Sequence, residues 1–212
     1  MGRELILGIE SSCDETAAAV VEGGVKVHSN VVFSQAAEHA QFGGVVPEVA
    51  GRSHLEAILP AIDQALADAG VGLGDLAGIA VTARPGLIGS LLVGLSAAKA
   101  LCWSTGLPLV DVDHIEAHVY AATMEDPDAV HFPCLALVVS GGHTALYEVR
   151  SPLEMTRIAT TLDDAAGEAF DKVAWLLGLE YPGGPSVARL ALEGRRDAIA
   201  FPRYFPKRKP GA

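Results

Sequence analysis

Apolar positions along this chain fall into short runs whose period changes several times. ELILGIE (residues 4–10) is an apolar run closing on an acid, and the polar turn SSCDE follows. TAAAVVEGG and VKVHSNVVFS continue as β-rich segments split by Gly23 and Gly24. Short runs bounded by turn residues predict an antiparallel meander. Between 48 and 69 the apolar residues recur at three and four, which predicts a helix. Pro60 lies inside it and is expected to kink or break it. LAGIAVTA (76–83) predicts a buried strand, 87–104 a buried apolar helix, LPLVDV (107–112) another strand and HIEAHVYAATME a helix. Strands are then predicted at 132–140, 144–150 and 155–161, and a helix at 167–179. YPGGP (181–185) reads as a loop.

The order β-β-β-α-β-α-β, followed by a restart as β-β-β-α near residue 132, predicts an α/β protein. Two such units suggest duplicated ribonuclease-H-like subdomains of the actin/Hsp70 ATPase type, an analogy at the level of fold.

Composition narrows the picture. Half of the 212 residues are hydrophobic and 19% are charged, which excludes a disordered chain. The formal net charge is −11, so the chain does not favour wrapping nucleic acid directly. Basic residues gather near the end: Arg195, Arg196, Arg203, Lys207, Arg208 and Lys209. They read as a solvated tail or a local phosphate contact. Cys13, Cys102 and Cys134 form no CxxC pair, which fits a reducing cytoplasm better than a disulfide framework. The N-terminus does not read as a signal peptide. Residues 86–103 carry Lys99 and are short for a bilayer, so no membrane association is expected.

Five segments could carry chemistry. In HIEAH, His114 and His118 lie four apart, on one helix face about 5–6 Å apart at Cβ. They could grip one ion together, whereas Glu116 points elsewhere. The zincin helix HExxH places its glutamate directly after the first histidine, so a peptidase is disfavoured. In VVSGGHT (138–144), Ser140, Gly141 and Gly142 could form a nest for phosphate or a plain hairpin turn. ESSCDET (10–16) crowds carboxylates and hydroxyls into one turn that could face phosphate or metal; Cys13 has no adjacent histidine to activate it. GEAFDK (167–172) offers Asp171 as an acceptor for a ribose hydroxyl, and Gly183 and Gly184 permit close backbone approach. In residues 83–99, Gly86 and Gly89 could open an anion site or, with Gly94 and Ser96, serve close helix packing. His54 reads as a polar helix position.

Taken in order, ESSCDET, GGVVPEVAGRSH, PGLIGSLLVG, DHIEAH, VSGGHT, GEAFDKVA and YPGGP resemble the tRNA threonylcarbamoyladenosine transferase family (TsaD in bacteria), formerly described as O-sialoglycoprotein endopeptidases. The resemblance runs over nearly the whole chain. It implies two ribonuclease-H-like subdomains and transfer of threonylcarbamoyl from threonylcarbamoyl-adenylate to N6 of the adenine beside the tRNA anticodon. It places His114 and His118 at metal-ligand positions, with iron(II) expected and zinc the alternative. It places Val138, Val139, Ser140, Gly141, Gly142, Asp171 and Gly184 at adenylate-substrate positions. It implies tRNA and the proteins TsaB and TsaE as partners. On this reading residues 1–112 form the first subdomain, and 113–212 the metal-ligand helix with a partial second subdomain. Family members continue past the point where this chain stops, so the second subdomain is expected to be incomplete, without a third metal ligand, and its exposed face to drive self-association. Arg84 stands where many relatives have glycine, and could alter a turn or point outward. A non-catalytic module like the partner TsaB remains the alternative.

Overall fold

A computed structural model describes residues 4–125 and 130–201. The basic positions Arg203, Lys207, Arg208 and Lys209 lie outside the described residues. Two sheets organise the chain. The first holds β1 (Leu5–Glu10), β2 (Glu15–Glu22), β3 (Lys26–Ser34), β4 (Gly78–Arg84) and β5 (Leu109–Asp113) in the order β3-β2-β1-β4-β5. β1, β2 and β3 pair antiparallel, whereas β4 runs parallel to both β1 and β5. Parallel pairing needs a crossover, and helices supply it. A short helix α1 (Ala36–Ala40) and the long α2 (Pro47–Ala69) lead from β3 towards β4; α3 (Ile88–Thr105) leads from β4 to β5.

Strict alternation in β1 puts Leu5, Leu7 and Ile9 inside. They meet Val20, Ile79 and Val81 from the sheet and Ile58, Ala61, Ile62 and Ala65 from α2 in one apolar core. Pro60 neither breaks nor ends α2, which runs unbroken for 23 residues, with Pro60 on its exposed side. The meander, β4 and β5 lie where the period placed them. The expectation of a buried helix at 87–104 needs correction. α3 buries only Ser90, Leu91, Gly94 and Ala98, and leaves Ile88, Leu92 and Trp103 exposed. Its apolar side chains run all round, and only the stripe against α2 and the sheet is covered. Among the described residues α3 alone is long and apolar enough to cross a bilayer, by length and composition only.

The second sheet holds β6 (Cys134–Val139), β7 (Thr144–Ser151) and β8 (Glu154–Thr160), antiparallel in that order. α4 (His114–Glu125) precedes it, and α5 (Ala166–Leu176) and α6 (Gly183–Ala191) follow. The loop expected at YPGGP becomes the start of α6. Pro182 caps that helix and Pro185 sits in its first turn, where a missing N–H costs nothing.

β6 occupies the place that β1 holds in the first sheet, but among the described residues it pairs on one edge only. Its outer face presents Leu135, Leu137 and Val139, at 66%, 67% and 53% exposure. An apolar row on an open edge is a template for self-association. Leu137→Lys is therefore expected to raise the monomer fraction in gel filtration with light scattering. An elution profile identical to the parent's would show that the row is not the adhesive surface.

Candidate functional site

His114 and His118 begin α4 directly after β5, at the carboxyl end of the first sheet. Asp113 caps the helix: its Oδ1 accepts the amides of Ile115 at 2.9 Å and Glu116 at 3.3 Å. The helical spacing then brings the two rings edge to face, with centroids 4.4 Å apart and Nε2 to Nε2 at 3.0 Å. Glu116 is exposed, as its spacing predicts.

Two strand ends and the turn after β1 converge behind this pair. Glu10, the last residue of β1, places Oε2 at 3.1 Å from Nδ1 of His114. Thr82 of β4 donates its hydroxyl to the same oxygen at 2.6 Å, and the Ser12 amide donates to Oε1. Ser12 Oγ also lies 3.1 Å from His114 Nδ1. Burial pushes the Glu10 carboxyl up, but the hydrogen bonds from His114, Thr82 and Ser12 outweigh it and hold the group at about 2. His143, in the β6–β7 turn, stands 6.3 Å from His114 by ring centroid. Burial, with the neighbouring His114, draws both His118 and His143 below the ordinary imidazole value, towards the neutral form.

The pair fits a metal ion as two donors. Neutral imidazoles are the ligating form. Two nitrogens of a tetrahedral site with metal–N distances of about 2.0–2.1 Å stand about 3.3 Å apart, close to the separation here. Among the described residues no group of three or more His, Cys, Asp and Glu side chains is arranged to hold an ion.

The SGGH turn is built tightly. Ser140 N–H donates to the His143 carbonyl at 2.8 Å, and His143 N–H donates to Ser140 Oγ at 3.0 Å. The turn also seats the start of α5: Gly167 N–H donates to the Ser140 carbonyl at 3.1 Å, and Ala166 N–H donates to Thr144 Oγ1 at 2.8 Å. Space remains around Gly141 and Gly142, where an added Cβ would meet nothing within 4 Å. Val138 is buried beside the turn and Val139 is exposed.

Some of the predicted residues line two separate clefts, and His114, Gly141, Gly142 and Gly184 line neither. His118, Val138, Val139 and Ser140 line a space of about 370 Å³ between α4 and β6. Asp171 and Gly183 line another, of about 410 Å³, with Ala40 and Gly43 from the first unit and Trp175 and Tyr181 from the second. Asp171 Oδ1 accepts the Gly183 amide at 2.7 Å, which leaves Oδ2 for a ligand; Gly184 beside it is open. Burial, with Asp14 and Asp171 nearby, pushes the Tyr181 hydroxyl up to about 12, so it remains a donor.

Elsewhere the structure selects among the readings left open. Arg84 points outward, pairing with Asp111 at 2.5 Å and Asp113 at 3.6 Å. Burial, with Asp14 close by, pushes the Cys13 thiol up to about 12, which leaves it a poor nucleophile. Gly86 and Gly94 serve close packing: a Cβ on Gly86 would lie 2.5 Å from the Ser12 carbonyl oxygen, and one on Gly94 would overlap Ser11 Oγ. His54 sits on the helix α2, and its polar ring is fully buried. ESSCDET marks Glu10 as a candidate, but its pairing with His114, 104 residues away, and the support it takes from Thr82 carry no local sequence signal.

The fold and its site define a class, the α/β proteins of the ribonuclease-H-like, actin/Hsp70 ATPase type. A crystal structure of an uncharacterized protein with similarity to peptidase YeaZ, from Pseudomonas aeruginosa, shares the fold at a TM-score of 0.50 and 17% identity, over 74% of this chain and 64% of that one. Within the class, the model of the family TsaD, tRNA N6-adenosine threonylcarbamoyltransferase, matches residues 26–209, and the chain belongs to that family. A tRNA N6-adenosine threonylcarbamoyltransferase of Pelobacter propionicus is 59% identical over 199 residues, covering 94% of this chain and 58% of the relative. One from Syntrophus aciditrophicus is 58% identical over the same share of this chain and 59% of its own length. The chain thus spans under three fifths of the length of these relatives.

Proposed function

We propose that the protein takes part in transferring threonylcarbamoyl from threonylcarbamoyl-adenylate to N6 of the adenine beside a tRNA anticodon, an acyl transfer that depends on a divalent metal held by His114 and His118. The observation that carries the reading is the pair of Nε2 atoms 3.0 Å apart, beside a glycine turn with open space around it. Iron(II) is the first choice and zinc the second, since imidazole suits both.

The chain's own residues have separable tasks. Backbone amides of Gly141 and Gly142, held by Ser140 and flanked by Val138 and Val139, receive the adenylate phosphate. Asp171 Oδ2 accepts a ribose hydroxyl, and Gly184 lets the nucleotide approach the backbone. Bound at the histidine pair, a metal would supply Lewis-acid polarisation of the carbamoyl carbonyl. The adenine nitrogen forms the new bond to that carbon, the bond from carbon to phosphate oxygen breaks, AMP leaves with the electron pair, and the nitrogen's proton passes to water. The mixed anhydride is already activated, so holding the weak amine in place supplies much of the rate.

A chain with net charge −11 offers tRNA phosphates little attraction, so TsaB and TsaE type partners contribute basic surface in the cytoplasm. Metal stoichiometry after anaerobic purification tests the reading. Near-equimolar metal in the parent, lost in both His114→Ala and His118→Ala, is the expected result. Equal metal content in all three proteins would overturn it.

A further inference from the structure

We propose that Glu10 is a positioning residue for the metal pair: its carboxylate holds His114 with the proton on Nδ1, so that Nε2 keeps its lone pair and faces His118. The inference rests on the metal reading above and assigns a task to a residue outside the two ligands.

The argument is one of donors and acceptors. Glu10 receives hydrogen bonds from the Thr82 hydroxyl and the Ser12 amide, which is the environment of an ionised carboxylate. An ionised carboxylate can only accept. Its approach to His114 Nδ1 at 3.1 Å therefore requires the proton on Nδ1. A neutral imidazole has one proton, so Nε2 is left bare. That nitrogen is the one 3.0 Å from Nε2 of His118. Ligating histidines generally donate their other N–H to a carboxylate or carbonyl, which fixes ring and tautomer and strengthens the donor. Glu10 is itself held from β1 and β4, so the ring is referenced to the rigid centre of the first sheet. The competing arrangement has Ser12 Oγ, also at 3.1 Å, donating to a bare Nδ1. The proton would then lie on Nε2, pointing at His118, and the pair could not close on an ion.

The test uses the 212-residue chain and cobalt(II) as probe. Nitrogen-15 NMR of the metal-free protein reads the His114 tautomer, and visible absorbance titration reads cobalt affinity. The parent is expected to show the proton on Nδ1. Glu10→Ala is expected to shift the tautomer and weaken cobalt binding by about 10–100-fold. Glu10→Gln keeps an accepting oxygen and should fall between the two. A proton found on Nε2 in the parent overturns the proposal. So does a folded Glu10→Ala that binds cobalt within about twofold of the parent. Should Glu10→Ala fail to fold, Glu10→Gln decides: unchanged affinity and tautomer overturn the proposal, and a weakened site supports it. His114→Ala keeps the two readings apart. If it binds cobalt like the parent, the metal pair itself is wrong; if it loses cobalt while both Glu10 variants keep it, only the positioning role falls.

Discussion

His54→Ala is expected to destabilise the protein by about 3–5 kcal/mol, read as a lower urea midpoint at an unchanged slope. His54 sits on α2 and is completely enclosed. Its Nδ1 lies 2.7 Å from the Thr16 hydroxyl, and its Nε2 lies 3.1 Å from the Cys13 carbonyl. A carbonyl only accepts, so the ring proton is on Nε2 and Thr16 donates to Nδ1. The ring thus ties α2 to the turn between β1 and β2. Alanine would strand a buried hydroxyl and a partly buried carbonyl, at up to about 1–3 kcal/mol each, and leave a hole the size of an imidazole. The same ring makes stability depend on pH. Burial draws the His54 pKa below its ordinary 6.5, outweighing the Cys13 carbonyl that pulls it up. Below 6.5 the unfolded chain therefore binds a proton that the folded chain resists. The contribution is fully present above 6.5 and is lost as pH falls from there towards the lower folded value. Urea midpoints measured at neutral pH and about one unit below 6.5 should show this slope in the parent and a shallower one in His54→Ala. Equal slopes would mean that the ring takes up its proton as easily inside as outside.

That histidine marks a limit of reading from sequence. In GRSH it has the look of any polar residue on a helix, and periodicity carries no sign that a polar ring has been drawn inside. Its partners are 38 and 41 residues away, in the ESSCDET segment, whose polar pattern points to phosphate or metal and not to a buried ring. The elements themselves were legible because each depends on local spacing: the alternation in β1, the three-and-four recurrence in α2, the restart at β6. Two departures have physical causes. Gly183 and Pro185 read as breakers because they disfavour helix interiors, yet the first turn of α6 tolerates both. α3 is apolar on every side, so no stripe in its sequence shows which face is covered. At the site, HIEAH was legible because both donors share one helix face. ESSCDET marked the carboxylate behind it as a candidate but not its partner, because parallel pairing of β1 with β4 is what brings Thr82 to Glu10, which in turn meets His114.

Gly167→Ala is expected to cost about 1–3 kcal/mol and to weaken AMP binding well beyond what that loss explains. A Cβ at this position would stand 2.6 Å from the Ser140 carbonyl oxygen and 2.7 Å from the Gly141 nitrogen. Both are backbone atoms, so no side chain can rotate away. Either α5 withdraws, breaking the bond from Gly167 N–H to the Ser140 carbonyl, or the SGGH turn deforms. Withdrawal also drags Asp171, one turn further along α5, away from its place in the other cleft. The two adenylate contacts proposed here are thus set by one glycine, which packs the helix against the turn. Gly141→Ala is the informative control. Its Cβ would meet nothing within 4 Å, so stability should hold to within about 0.5 kcal/mol, and any loss of AMP binding would come from crowding the ligand alone. Calorimetric titration of AMP into the three proteins, beside their thermal midpoints, separates the cases. If Gly167→Ala melts like the parent and binds AMP equally well, α5 does not brace the turn, and the glycine cradle must be held by something other than this contact.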